Sequence, residues 1–148
     1  MPSLIHRPNG LTTHPLKGAR GNILLKTTSN EYNTYLALRS DDKAILDTLL
    51  YVSSTNTNHF IVANHTLDVI VEKSGYAKKT VLNALTRLET YSLIAKLDLA
   101  YEYIVNPLFA IKGSECDVWK FIQTIQYKGN IPKDVTLTCE TINLSTNH

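Results

Sequence analysis

Apolar residues recur at positions 81, 84, 85 and 88. This three- and four-residue spacing puts Val81, Ala84, Leu85 and Leu88 on one side of an α-helix, which should be buried. Lys79, Leu82, Asn83 and Thr86 point largely away from that stripe, with Lys78 and Arg87 near its margins. Upstream, Leu67, Ile70 and Val71 predict a helix over 66–73, capped by Asn64 or Thr66. Ser74-Gly75-Tyr76 separates the two helices, and Gly75 suits the left-handed turn that other residues resist. A further stripe of Ala44, Ile45, Leu46, Leu49, Leu50 and Tyr51 predicts a helix over 42–52, with Asp41 or Asp42 as its cap.

Between these helices, the polar run SSTNTN precedes HFIVA, which reads as a short strand over 59–63. After the last helix, residues 94–97 and 101–105 read as two strands joined by Asp98-Leu99-Ala100. Pro107 ends the second, because it lacks a ladder donor and restricts Asn106 to an extended backbone. Tyr101 and Tyr103 fall on one face by alternation. The order is helix, strand, helix, turn, helix, two-stranded ribbon. It predicts a mainly α fold with a small β component, a winged helix-turn-helix.

The flanks are less regular. Pro2, Pro8, Gly10, Pro15 and Gly18 mark residues 1–20 as an arm or loop rather than a regular element. Residues 22–37 suggest a short strand, a turn at Ser29-Asn30, and then a strand or first helix. Ser114 suits the cap of a helix whose inner face is Val118, Phe121, Ile122 and Ile125. Trp119 should be partly exposed beside it, either packed within the chain or offered to a dimer contact. Gly129 and Pro132 end that pattern. The expected organisation is a flexible basic arm (1–20), a winged-helix domain with an N-terminal extension and C-terminal helix (21–125), and a polar tail (126–148).

Charge changes the picture by its placement. The 148-residue chain carries a formal charge of only +2, but residues 1–30 and 73–87 hold cations and no acid. A nucleic-acid partner would therefore be met by local clusters. The two cysteines, Cys116 and Cys139, have no metal-ligand spacing, no disulfide is needed, and a reducing cytosol fits. The N-terminus lacks the apolar run of a signal peptide, and no stretch approaches a membrane span. The histidines lie in unlike contexts and form neither a metal site nor the paired-histidine signature of rolling-circle nicking. No phosphate-cradling Gly-rich string or paired carboxylates occur. The expectation is a cytoplasmic protein that is not an enzyme, with no cofactor and no metal.

The string KKTVLNALTRLETYSLI resembles the winged-helix pattern of a Thr-Val pair, small and Leu core positions, a Leu-Glu pair and a final apolar pair, here Thr80-Val81, Ala84-Leu85, Leu88-Glu89 and Leu93-Ile94. The pattern has a capping Ser or Thr where this chain has Ala77, and often Gly where it has Ser92. Downstream, YIVNPLFAIKGS over 103–114 resembles the ribbon end of Firmicute RepL-type plasmid replication proteins, through Asn106-Pro107 and Lys112-Gly113. The resemblance covers roughly residues 41–125. It implies origin-DNA binding in plasmid replication initiation.

The resulting expectation is sequence-specific binding of double-stranded DNA. Lys78 and Lys79 would meet phosphates, and Thr80 would cap locally or donate to phosphate. Asn83 would read adenine, and Arg87 would reach guanine or a phosphate. Thr86 and Lys96 complete the DNA-binding set. A homodimer and replication or transcription proteins are the further partners; Leu24, Leu25 and Tyr35 are the residues a second chain would bury. A transcriptional repressor and a protein-interaction module without DNA function remain alternatives.

Overall fold

Ser29 starts the first helix by a local device. Its hydroxyl accepts from the Tyr32 amide at 3.0 Å and donates to the Lys26 carbonyl at 2.7 Å. The short carboxyl-free side chain thus satisfies a first-turn donor while closing the preceding turn. A computed structural model describes residues 23–125 and, by backbone alone, 5, 6, 12 and 13. The expected tail over 126–148, with the stops at Gly129 and Pro132, lies outside the described residues, as does most of the expected arm. Within that arm, β1 (Ile5–His6) pairs antiparallel with β2 (Thr12–Thr13), so the region expected to hold no regular element contains a short hairpin.

The elements then run β3 (Ile23–Leu25), α1 (Asn30–Leu36), α2 (Ser40–Val52), β4 (His59–Ile61), α3 (Asn64–Ser74), α4 (Lys78–Thr90), β5 (Ile94–Lys96), β6 (Glu102–Val105), β7 (Ala110–Lys112) and α5 (Glu115–Gln123). Five helices and small antiparallel sheets make up the described residues. Besides the β1-β2 pair, one sheet has the order β4-β6-β5, and in another β3 pairs with β7. The undecided segment after Ser29 is thus helical, and the apolar run after Asn-Pro contains a strand that the sequence did not announce.

The sheets bury both faces. Along β6, Val105 joins the helical cluster of Ile45, Leu49, Ile70, Val81, Leu85 and Leu88, while Ile104 joins a second cluster with Val118, Trp119 and Ile122. Ala110 and Ile111 on β7 divide in the same way, as successive strand residues must. Helices α2 to α4 lie on one side and α5 covers the other. This second layer corrects the expectation for α5. Trp119 is 1% exposed and sits inside, while Phe121 is half-buried and meets the His59 ring edge-on at 6.0 Å. Leu24, Leu25 and Tyr35 pack within their own chain.

Several caps also differ. Asp41 and Asp42 sit in the first turn of α2, after Arg39 at the cap position, and neither Asn64 nor Thr66 caps α3, which follows Ala63 without a side-chain cap. Gly75 closes α3 with φ 79°, and Ser114 caps α5 by accepting from Asp117, both as expected. Lys112 is neither solvent-exposed nor free to approach DNA. It is 3% exposed, and its ammonium donates to the carbonyls of Tyr51 at 2.7 Å and Ser53 at 2.8 Å, satisfying the end of α2.

The polar run before β4 supplies the clamp between the sheets. Asn58 is fully buried; its amide donates to Val105 at 3.0 Å and Ala110 at 2.7 Å and accepts from the Lys112 amide at 2.9 Å. Both donors and one acceptor position of this side chain are spent on joining β6 to β7. Cys116 is disulfide-bonded, against the expectation that no disulfide is needed, and the cysteines give no support to a reducing compartment. Cys139 lies outside the described residues. Among the described residues, no helix is long and apolar enough to cross a membrane.

Candidate nucleic-acid interface

The buried stripe fixes the rotation of α4. Val81, Ala84 and Leu88 are inaccessible to solvent and Leu85 nearly so. With about 3.6 residues per turn, Lys79, Asn83 and Thr86 must then lie on the outer face, and all three are exposed. Leu82 joins them, exposed without a packing partner in either apolar cluster. Thr80 is half-buried at the margin. At the start of the helix, Ala77 is extended and supplies no side-chain cap.

Lys78 faces a different neighbourhood. It shares a cleft of about 710 Å³ with Asn64 of α3, Leu82 and Leu85 of α4, and Lys96, Tyr101 and Tyr103 of the ribbon. Lys96 and Tyr103 are directly opposed across β5 and β6, and Tyr103 stacks on Phe60 at 5.5 Å with ring planes 11° apart. Burial, then the Glu89 carboxylate, raises the Tyr103 phenol above its ordinary pKa, so it remains neutral. Tyr101 lies before β6 in a left-handed conformation, so the expected strand alternation with Tyr103 does not apply to it, although it lines the same cleft.

Arg87 is placed elsewhere. Its Nη2 donates to Asp42 Oδ1 at 2.7 Å and its Nε to Asp42 Oδ2 at 3.0 Å. Asp42 is 1% exposed, and a buried carboxylate requires such a partner. The hydrogen bond to Asp42 is the main cause raising the guanidinium pKa above its ordinary value. The expected guanine or phosphate reader is therefore an internal tie between α4 and α2. Lys78, Lys79 and Lys96 form no ion pair among the described residues.

The sequence marked Asp42 and Asn64 only as candidate helix caps, not as shapers of this region. Asn64, with φ 52°, had a signal, since Asn tolerates the left-handed region better than most residues. Asp42 had none, because its place depends on a partner distant in sequence. Chemically, the surface offers cations, an amide, a hydroxyl and an exposed Leu on one helix, beside a cleft with cationic and aromatic walls. Among the described residues, no group of three or more His, Cys, Asp or Glu is arranged to hold a metal. No family model matches this chain, and no curated protein or solved structure does either.

Proposed function

We propose that this protein binds duplex DNA sequence-specifically as a winged helix-turn-helix. Helix α4 enters the major groove, with the β5–β6 ribbon beside it. One observation carries the reading: α4 buries one face and presents Lys79, Leu82, Asn83 and Thr86 on the other, with Lys78 and Lys96 alongside, neither ion-paired among the described residues. The lysines would neutralise phosphates and hold the register. The Asn83 amide would pair with adenine, and Leu82 would meet a thymine methyl. Arg87 holds the pose of α4 and takes no part in base reading.

The sequence resemblance supports a biological setting in plasmid replication initiation or its control, where binding marks a site and recruits other proteins. The proposal assigns no bond-breaking step. Selection from a random duplex pool at low and near-physiological salt tests it. An enriched motif is expected. Lys79→Ala should weaken all sites similarly and reduce the salt slope by about one. Asn83→Ala should relax preference at one position, losing roughly 1–3 kcal/mol of discrimination. A symmetric motif with dimeric binding would redirect the role toward promoter repression. Absence of both a motif and salt-sensitive binding in the folded protein would overturn the DNA reading in favour of a protein-interaction module.

A further inference from the structure

The ribbon tip is poorly suited to a phosphate contact. Its connection over 97–101 carries no cation and one acid, Asp98, while Leu99 is 68% and Tyr101 61% exposed. Cations sit deeper instead, Lys96 on β5 and Lys78 on α4, on the walls of the cleft that Tyr101 also lines. Two of that cleft's residues, Asn64 with φ 52° and Tyr101 with φ 67°, hold left-handed backbones without being glycine. Such conformations cost free energy and persist where the surroundings impose them. Here the Val62 amide donates to the Tyr101 carbonyl at 2.8 Å, tying the ribbon tip to the strand leading into α3. The exposed ring is thereby held on a braced backbone.

We propose that this cleft binds an unpaired DNA strand, with a base stacked on Tyr101 and the adjoining phosphate between Lys78 and Lys96. The combination of a cationic groove with an exposed aromatic platform is what single strands require, since every base has a face to stack and every link a charge. The volume of about 710 Å³ lies within the range of small-molecule sites and admits a nucleotide. Leu82 and Leu85 provide apolar wall for the base, and the Asn64 amide can meet its edge. Outer-face residues Lys79, Asn83 and Thr86 are not part of this cleft. The inference rests on the DNA reading for its choice of polyanion and adds a second form of DNA, at a cleft that shares Lys78, Lys96 and Leu82 with the duplex surface. Such a protein would recognise a duplex site and then turn Lys78 and Lys96 to a strand opened next to it.

Fluorescence anisotropy of the full chain with labelled oligothymidine of about 12 nucleotides, a length one stacking domain can cover, tests this. Tyr101→Asn removes the ring while keeping a residue that accepts the left-handed backbone. It should weaken single-strand binding roughly tenfold and leave binding to the selected duplex within about twofold, the change expected outside the phosphate and base contacts. Tyr101→Phe should restore the single-strand affinity. Lys96→Gln should weaken it and flatten its salt dependence. Unchanged binding by Tyr101→Asn, or no single-strand binding by a folded chain, overturns the proposal. So does loss through Lys79→Ala alone, which would put the strand outside the cleft. Tyr101-dependent single-strand binding without any duplex motif would support this cleft while the duplex reading fell.

Discussion

Arg87 and Asp42 meet across 45 residues, the guanidinium of α4 clasping a carboxylate at the start of α2 with bonds of 2.7 and 3.0 Å. Removing one partner leaves the other charge in an environment chosen for a pair. Arg87→Ala should destabilise the fold by about 3 kcal/mol, seen as a lower urea midpoint. Arg87→Met combined with Asp42→Leu should recover most of that loss. The double variant should also retain duplex binding, because Arg87 supports α4 without touching DNA. A stable single variant with lost base preference would instead restore Arg87 to the reading face.

The two ends of α4 invite stabilisation. Ser92 adopts φ 63° just after the helix, where the Leu93 amide reaches back to the Leu88 carbonyl at 3.0 Å. This is the position at which a glycine is conformationally easiest. Ser92→Gly should raise stability by about 1 kcal/mol. Ala77 makes no side-chain cap, so Ala77→Ser should add a further increment of about 1 kcal/mol. Chemical denaturation of the two single variants and the double checks both; the sites are at opposite ends of the helix, so the effects should add.

Asn58 and Lys112 form a buried polar joint. Asn58→Ala would leave the carbonyls of Val105 and Ala110 and the amide of Lys112 without its side chain, at a cost of about 3 kcal/mol or more. Lys112→Met should cost about 2 kcal/mol by uncapping Tyr51 and Ser53. In Lys112→Met, the salt slope of DNA binding at a temperature where the fold is intact should not move. A reduced slope would show that Lys112 reaches phosphate after all.

Stability should respond to mild acid through Asp47. Burial is the main cause raising its carboxyl pKa to about 6, partly offset by the hydrogen bond from Tyr35 at 3.1 Å. The folded state therefore binds a proton more readily than the unfolded chain. Stability should fall as pH rises from about 4 to about 6, by at most about 3 kcal/mol, and be relieved on the acid side. Asp47→Asn should remove this component. Urea midpoints measured from pH 4 to pH 8 for both proteins would detect it; identical profiles would contradict it.

Much of the local structure was legible because it is governed by local periodicity and backbone chemistry. The α4 stripe, the left-handed turn at Gly75, the ribbon ended by Asn106-Pro107 and the Ser114 cap all follow from residues within a turn or two of each other. The α5 error shows where such reasoning stops. Val118 and Ile122 define an inner face, but either Trp119 or Phe121 can complete it on the adjacent flank. The position of the two sheets beneath the helix chose Trp119. Likewise, β7 is three residues long, contains a lysine and is buried throughout, so it has no alternation to read.

The order of residues is enough to say which side of α4 packs and which residues stand opposite, because helical geometry converts spacing into direction. It also placed the lysines at the start of that helix. Which cations remain available depends on contacts between distant elements. Arg87 and Lys112 are spent on a carboxylate and on helix-end carbonyls far away in the chain, while Lys78 and Lys96 come together across a cleft from separate elements. The physical reason is that desolvation and charge pairing depend on distance through space, and spacing along a chain carries that distance only within a single element of secondary structure.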